Sequence, residues 1–389
     1  MRRYVQRFFE WFRKGDLVLL LLCVVATSFG CLMIASTTNA SSTGALRYLI
    51  IQIGAAGAGI LAYVGISAVN TEFFSEHRTS LVLFNTALLL LLIPFGETIS
   101  GNRSWLNFPL LPFNIQPAEI CKITFVLILA SVMTSRQNKL SAPISIGHML
   151  LHLFLLFGVN YIISNDMGVS LIFVFIFIGM TFAGGVHSIW FLGGIGLLVT
   201  FVPVVWNIMP DDHYMKSRIA VLLDPSLDAL GTGARYQTNL AQRSLTGGGL
   251  TGQGLFQGHR TQTPGALFAQ HTDFIFAAIG EELGFVGCAF VLLLLLLIIG
   301  RCIWVGMRSP DMLRRLVCFG VASALIFQVL INVGMCIGVA PVIGLTLPFI
   351  SYGGSSIITL YAMLGLVSGV YAHPTAVSHE RYLRGPLKF

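Results

Sequence analysis

The residues best placed to do chemistry stand at the end of a polar stretch in a chain that is otherwise largely apolar. Residues 209–273 are polar and rich in glycine, and the stretch ends in His271, Thr272 and Asp273, directly before an apolar run. A carboxylate at the edge of low-dielectric surroundings tends towards a raised pKa, which suits a general base. Asp273 is therefore our candidate catalytic residue, and a helix cap is the alternative interpretation of the same position.

Three more ionisable residues stand inside or beside apolar runs, where a charge is costly and needs an explanation. Glu119 and Lys122 are three positions apart, which puts them on one face of a helix that begins near Pro117. They either form an ion pair that locks helix packing or line the floor of an outward-facing polar cavity in which Lys122 meets a phosphate, and the two interpretations are compatible. Asp166 opens a further apolar run, either as a helix cap or as a group in the same cavity.

The last third of the chain supplies two further candidate groups. Glu281 and Glu282 are adjacent acids in an apolar run. Neighbouring positions cannot share one helix face, so at least one of them is expected to pair with another helix or to face a cavity, where Glu281 would contact substrate. Residues 341–356 contain two prolines and a Gly-Gly-Ser-Ser run, which predicts a bent backbone lining a polar cavity, with Ser351 and Ser355 as candidate substrate contacts.

The polar stretch itself combines basic residues with glycines. Arg218 and Arg243 are its candidate contacts to an anionic substrate, and glycines cluster at 247–254. Backbone N–H groups of glycine-rich loops bind phosphate, although glycine equally serves plain turns. Trp105, in a second polar element at about 97–116, is either an aromatic residue of the membrane interface or a substrate contact.

The composition indicates that membrane-spanning helices position these residues. Of the 389 residues, 55% are hydrophobic and 10% are charged, which is more apolar surface than a soluble protein can bury. Apolar runs of about 20 residues cross a membrane as helices, whereas a β-barrel shows short alternating strands. We predict an all-α polytopic protein, a single membrane domain over residues 1–389. Its ten spans are expected at about 17–36, 46–67, 80–96, 117–135, 145–164, 167–185, 188–208, 274–300, 316–340 and 351–371.

Basic residues predict the orientation, because they are enriched in cytoplasmic loops. With the N-terminus inside, the short outer loops hold only Arg47 and Arg103. Both termini are then cytoplasmic, and residues 209–273 form a large extracytoplasmic loop between spans seven and eight. The net charge of +7 comes largely from this bias, so no nucleic-acid partner is expected. The seven cysteines lie in or beside apolar runs and predict neither a disulfide framework nor a metal site.

Several short motifs occur in order along the chain, and together they are highly specific. They are Gln116-Pro117-Ala118-Glu119 with Lys122, Asp166-Met167-Gly168, Asp224-Pro225 with Tyr236-Gln237, Gly248-Gly249-Leu250 with Gly252 and Gly254, His271-Thr272-Asp273-Phe274-Ile275-Phe276 with Gly280-Glu281-Glu282-Leu283-Gly284, and the block from Pro341 to Ser356. This ordered set closely resembles the SEDS family, the RodA, FtsW and SpoVE proteins of bacterial cell-wall synthesis. The resemblance covers nearly the whole chain.

The resemblance implies a peptidoglycan glycosyltransferase that crosses the bacterial plasma membrane several times and contacts the lipids of that membrane. The family polymerises lipid II, an undecaprenyl-diphosphate-linked disaccharide-pentapeptide, into a nascent glycan strand at the outer face of that membrane. It usually works with a class B penicillin-binding protein that crosslinks the product. In the family pattern the acid matching Asp273 is the essential catalytic residue. Trp105, Glu119 and Lys122 match positions that matter for function.

The chemistry that the resemblance implies is a single inverting displacement. Asp273 would accept the proton of the attacking 4-hydroxyl group. Positive charge at the leaving diphosphate would come from Lys122, Arg218 or Arg243, or from a divalent cation such as Mg²⁺ or Mn²⁺. No organic cofactor is expected.

The chain departs from the family pattern in three places. The family often has Gly-x-x-Arg-Trp, which here reads Gly101-Asn102-Arg103-Ser104-Trp105, with the arginine one place early. The common Leu-Pro-Glu is replaced by Phe268-Ala269-Gln270, and the usual Gln-Ser by Leu240-Ala241. These changes concern acceptor-side or loop contacts and leave the assignment of Asp273 intact.

Two other functions fit part of the pattern. A lipid II flippase or another transporter would also have buried charges and broken helices. Alternating access, however, favours polar elements on both faces, and here they are concentrated on the outer one. A non-catalytic scaffold for a penicillin-binding protein would not need the acid at Asp273. Whether the protein serves elongation, division or sporulation is left open.

Overall fold

The computed structural model describes residues 14–38, 45–99, 101–109, 111–210, 214–228, 231–233 and 235–373. Nine helices in these ranges are long and apolar enough to cross a membrane, and Met167–Ala183 is a shorter apolar helix. Helices dominate because a segment in lipid must satisfy its backbone polar groups internally. The predicted all-α polytopic fold is confirmed, whereas the predicted cytoplasmic termini lie outside the described residues.

The helices follow the predicted spans to within a few residues at most ends. In chain order they are α1 (Leu17–Thr38), α2 (Ala45–Ser67), α3 (Thr71–Glu76), α4 (Arg78–Leu90), α5 (Leu92–Phe95), α6 (Pro117–Ser135), α7 (Pro143–Ser164), α8 (Met167–Ala183), α9 (Ser188–Ile208), α10 (Tyr214–Leu223), α11 (Tyr236–Gly248), α12 (Ile275–Arg308), α13 (Met312–Ile337) and α14 (Gly354–Ala372). The polar stretch 209–273 therefore contains two helices, α10 and α11. At 34 residues, α12 also extends beyond the predicted span.

A short β-hairpin follows α5. Strands β1 (Gly96–Ile99) and β2 (Asn102–Leu106) pair antiparallel, with Trp105 opposite Glu97. Backbone hydrogen bonds of 2.8 and 2.9 Å then join Leu106 to Ile115, directly before α6. The hairpin thus lies beside the first turn of α6.

Helices α6, α13 and α14 form the centre of the bundle, since most of their residues are buried. Aromatic packing contributes, with the rings of Phe125 on α6 and Phe173 on α8 meeting edge to face at 5.5 Å. Helix α9 lies at the periphery and has no buried residue. The polar residues at the start of α6 are therefore enclosed by helices on several sides.

Candidate active site

Asp273 lies directly before α12, and a buried asparagine fixes its backbone. Asn332 of α13 is fully buried, and its Nδ2 donates to the carbonyl oxygen of Asp273 at 2.9 Å and to that of Leu345 at 2.7 Å. One side chain thus ties the residue before α12 to the segment between α13 and α14. Sequence reasoning missed this role, although an asparagine inside an apolar run is a recognisable signal.

The segment 341–353, between α13 and α14, has the predicted bent backbone and passes along Asp273. Its Ser351 Oγ donates to the carbonyl oxygen of Thr272 at 2.6 Å, and the N–H of Tyr352 donates to that of His271 at 2.8 Å. Ser351 is therefore next to the candidate base, with its hydroxyl bonded to protein backbone.

Gly344 and Val342 of the same segment reach the other side of Asp273. A Cβ placed on Gly344 would lie 3.8 Å from Oδ2 of Asp273. Two residues earlier, the carbonyl oxygen of Val342 accepts a hydrogen bond from Nη1 of Arg218 on α10. The structure thus brings Arg218, predicted as a site residue from the polar stretch, close to Asp273.

The carboxylate of Asp273 is half-buried, and within the described residues it accepts no hydrogen bond and forms no ion pair. Burial raises its pKa to about 6, the negative charge of Asp166 adds to the rise, and Arg218 opposes it. A carboxylate with this pKa is ionised at neutral pH and basic enough to take a proton in a transition state.

Asp166 caps a helix, which is one of the two interpretations of its position, and its second carboxylate oxygen joins neighbouring elements. Its Oδ1 accepts from the N–H of Val169 at 3.1 Å and so caps α8. Its Oδ2 accepts from Ser104 Oγ at 3.3 Å and Gln116 Nε2 at 3.0 Å, which joins the β-hairpin and the start of α6 to α8. Burial raises the pKa of Asp166, and its charge reaches Asp273.

Glu119 and Lys122 form the predicted ion pair, with Nζ 2.8 Å from Oε1 and both side chains buried. Oε2 of Glu119 accepts from Thr359 Oγ1 of α14 at 3.0 Å. The pair therefore locks α6 to α14. It also lies near Asp166, since the charges of both residues act on that carboxyl group.

Trp105 and Ser355 complete the predicted contacts near this end of the bundle. Trp105 is half-buried in β2, and its neighbour Ser104 binds Asp166. The Oγ of Ser355 is buried and has no hydrogen-bond partner within the described residues. Its position in the first turn of α14 is one helical turn from Thr359, the partner of Glu119.

Two predicted contacts are not brought to Asp273. Arg243 is exposed on α11, where its carbonyl oxygen accepts from Arg260 Nη1 at 3.2 Å. Glu281 is fully buried, and its carboxylate accepts from the N–H groups of Arg260 at 2.8 Å and Thr261 at 3.2 Å.

Its neighbour Glu282 is buried as well and accepts from Ser36 Oγ at 2.6 Å and Thr261 Oγ1 at 2.7 Å. Both adjacent acids therefore find partners, as predicted for at least one of them. The partners belong to the segment before α12 and to α1, so the two acids anchor that segment to the helix bundle.

Comparison with known proteins identifies the family of this chain. The model of the FtsW, RodA and SpoVE family, described as cell cycle proteins, matches residues 16–376. The chain belongs to this family. It is 31% identical over 331 residues to peptidoglycan glycosyltransferase MrdB of Escherichia coli K12, covering 84% of this chain and 86% of the relative. It is 33% identical over 366 residues to the probable peptidoglycan glycosyltransferase FtsW of Thiomicrospira cyclica, covering 91% and 90%.

Solved structures of the family share the fold. A chain from a study of how a peptidoglycan synthase complex coordinates polymerization and crosslinking superposes with a TM-score of 0.77, at 29% identity and over 92% of this chain and 97% of that one. The rod shape determining protein RodA of Thermus thermophilus gives 0.68, at 26% identity and over 93% and 98%.

Among the described residues, no three His, Cys, Asp or Glu side chains come together as ligands for a metal ion. Asp166 and Asp273, whose charges interact, are two carboxylates, and Mg²⁺ usually takes one or two carboxylates from a protein when substrate phosphates supply further ligands.

Proposed function

We propose that this chain is a peptidoglycan glycosyltransferase that polymerises lipid II at the outer face of the plasma membrane. The observation that carries the proposal is the Asp273 carboxylate, half-buried, without a partner among the described side chains and with its pKa raised to about 6. Membership of a family whose relatives are named peptidoglycan glycosyltransferases supports it.

Asp273 acts as the general base of one inverting displacement. The 4-hydroxyl oxygen of the acceptor sugar attacks the anomeric carbon of the donor, and the proton of that hydroxyl passes to the Asp273 carboxylate. The new bond joins the acceptor oxygen to the anomeric carbon, and the bond from that carbon to the diphosphate oxygen breaks. Undecaprenyl diphosphate leaves with the bonding electrons. Because the donor is α-linked, the product linkage is β.

Arg218 and Lys122 supply the positive charge at the leaving diphosphate. Arg218 acts electrostatically on Asp273, and Lys122 acts on Asp166. The Lys122 ammonium is fully buried in its ion pair with Glu119, so its charge acts on the diphosphate through space and not by direct contact. Arg243 would assist only from the exposed face of α11. A Mg²⁺ or Mn²⁺ ion carried by the diphosphate would supply the same charge, and titration with EDTA separates the two sources.

The other predicted contacts take supporting roles in this proposal. Trp105 and Ser355 touch the substrate. Trp105 is half-buried beside the Asp166 network, and the hydroxyl group of Ser355 has no hydrogen-bond partner among the described residues. Ser351 and Glu281 act through the protein, since their polar groups bind backbone beside Asp273 and in the preceding segment. Glu119 holds Lys122 in place.

A class B penicillin-binding protein is the proposed partner. The support is the match to a chain of a peptidoglycan synthase complex in which polymerization and crosslinking are coordinated. A partner that crosslinks glycan strands would take the product directly from the polymerase at the same membrane face.

Polymerisation of labelled lipid II by the purified protein in detergent tests the proposed function, with and without a class B penicillin-binding protein from the same cell. The expected products are ladders of glycan strands and free undecaprenyl diphosphate, with more product when the partner is present. Folded protein that makes no strand under either condition would contradict the proposal and favour a scaffold or a flippase.

A further inference from the structure

An aromatic cluster lies beside Asp273, apart from the polar contacts that define the site. The ring centroids of Tyr48 lie 5.0 Å from those of both His271 and Tyr352, and the latter two rings are 5.8 Å apart. All three side chains are half-buried. They come from α2, from the segment before α12 and from the segment before α14, so the fold rather than local sequence assembles the cluster.

Hydrogen bonds fix the cluster in place. Gln52, fully buried and one helical turn after Tyr48 on α2, donates Nε2 to the carbonyl oxygen of Ser351 at 3.2 Å. Its Oε1 accepts from the N–H of Gly353 at 3.1 Å. The two residues flanking Tyr352 are thus held by α2. A ligand that binds such rings loses little conformational entropy from the protein, because the rings are already ordered.

Residues of the segment 341–353 contact, in chain order, Arg218, Asp273 and the aromatic cluster. Val342 binds Arg218, Gly344 lies beside the Asp273 carboxylate, and Tyr352 belongs to the aromatic cluster. Along this segment, the residue beside Asp273 therefore stands between one residue that binds a cation and another that carries an aromatic ring. These two sides suit different parts of the reaction, because the leaving diphosphate needs positive charge whereas the attacking sugar does not.

The geometry of the rings differs from that of an aromatic belt. Tyrosines of a belt direct their rings to the lipid headgroups. Here the rings meet one another edge to face or tilted, and two of them belong to the segments that meet at Asp273, the one before α12 and the one before α14. A sugar ring offers C–H groups on its face and hydroxyl groups at its edge. Aromatic rings with polar handles, such as tyrosine and histidine, match both features.

We propose that Tyr48, His271 and Tyr352 form the subsite for the acceptor sugar, the N-acetylglucosamine ring whose 4-hydroxyl group attacks the donor. The subsite holds this ring so that its hydroxyl group meets Asp273, while the donor diphosphate lies on the Arg218 side. This inference rests on the glycosyltransferase function proposed above and assigns the acceptor side of the same site.

Two modified substrates allow the donor and acceptor sites to be measured separately. Lipid II with a capped 4-hydroxyl group can donate but cannot accept. Lipid II in which the anomeric oxygen is replaced by carbon can accept but cannot donate. With the labelled capped form as donor, the rate of labelled product at varied concentrations of each substrate gives one KM for the donor and one for the acceptor.

The variants are Tyr48→Ala, which removes a ring, and Tyr48→Phe as the matched control that keeps it. We expect Tyr48→Ala to raise the acceptor KM roughly five- to tenfold, as for the loss of one aromatic contact, with a donor KM within about twofold of wild type. Tyr48→Phe keeps the ring and removes only the hydroxyl group, so it should raise the acceptor KM less than Tyr48→Ala does and leave the donor KM near wild type. Partial unfolding would not imitate this result, because KM does not depend on the amount of active enzyme.

An unchanged acceptor KM in Tyr48→Ala, or an equal rise in both KM values, would overturn the subsite. That outcome is distinct from failure of the proposed function, which would show as wild-type protein making no product from this pair of substrates.

Discussion

Asp273 owes its proposed role to groups that lie far from it in the chain. Asn332 holds its backbone, while Asp166 and Arg218 act on its charge in opposite directions. An exposed aspartate would be fully ionised near neutral pH but a weak base. Burial brings the pKa of Asp273 close to the working pH, where a general base is most effective, and still leaves the group mostly ionised at pH 7.

We expect activity to fall as the pH is lowered through about 6. The pKa of Asp273 is raised from 3.8 to about 6, and only the ionised form accepts a proton, so protonation below that pH removes the base. The measurement is kcat/KM for lipid II polymerisation between pH 5 and 8, a range that spans about one unit below and two above the expected inflection. A profile that stays flat through pH 5 would contradict this role.

Asp166→Asn provides a directional control. Asparagine can still cap α8, but it removes the negative charge that helps to raise the pKa of Asp273. The inflection should therefore move to lower pH in this variant, whatever happens to the maximal rate. A shift to higher pH would mean that another group sets the profile.

Local patterns in the sequence predicted only part of this site. The spacing of Glu119 and Lys122 was sufficient to predict their ion pair, and the place of Asp166 before an apolar run predicted its cap. The contacts of Asn332 and of Tyr48 depend on which helices become neighbours. No local pattern carries that information.

Among the elements, helix α12 is interrupted at Gly284, shortly after the buried Glu281 and Glu282. The segment that precedes α12 in the chain packs against this break. Gly284 has φ 65° and ψ −162°, a conformation open essentially to glycine alone. The N–H groups of Gln253 and Gly254 then bind the carbonyl oxygens of Glu281 and Glu282, both at 2.9 Å. In a regular helix these two carbonyl oxygens would accept hydrogen bonds from the helix itself. Here they bind the segment that precedes α12 instead.

Gly284→Ala should destabilise the protein by about 3 kcal/mol, because strain and a clash act together. A Cβ at this position would clash with the backbone nitrogen of Gly252. Gly300→Ala in the same helix is the control, since no atom lies within 4 Å of its Cβ. Its stability should be unchanged within about 0.5 kcal/mol or slightly higher. Chemical unfolding of both purified variants in detergent measures the difference, and equal stabilities would contradict the strained kink.

The elements themselves were largely predictable. Long apolar runs located the membrane helices, because a helix must be about 20 apolar residues long to cross the membrane. The helices α10 and α11 were not predicted, since their polar composition is also that of a loop and their packing comes from tertiary contacts. The kink at Gly284 was likewise not predicted, because a glycine near two acids in an otherwise apolar run does not by itself specify a break in the helix.

In the whole molecule, the polar side-chain contacts that join the helices form two groups. One group surrounds the site, where Ser104 binds Asp166 and Arg218 binds Val342. In the other group, the half-buried Arg301 forms an ion pair with the buried Asp16, with Nε 2.8 Å from Oδ2.

Arg314 belongs to the second group. It is buried and binds the carboxylate of Glu72 at 3.4 Å and the carbonyl oxygen of His373. The excess of basic residues in the predicted inner loops predicts that the site lies at the outer face, and this orientation stays a prediction.

Cysteine labelling in intact cells tests this orientation. Asn138 and His259 are both exposed, and they lie in a predicted inner connection and in the predicted outer loop. Six of the seven native cysteines are buried and one is half-buried, so background labelling should be low. A membrane-impermeant maleimide should label His259→Cys in intact cells and Asn138→Cys only after permeabilisation. The reverse pattern would contradict the topology.

Asp273 is proposed as the base of the glycosyl transfer, and lipid II polymerisation by Asp273→Asn tests this role. Asp311→Asn is the matched control, since Asp311 caps α13 at the opposite end of the bundle and asparagine also caps helices. We predict that Asp273→Asn lowers the polymerisation rate at least about a hundredfold, while the protein stays folded and Asp311→Asn stays active. Glycan strands of normal length and yield from folded Asp273→Asn protein would contradict the assignment.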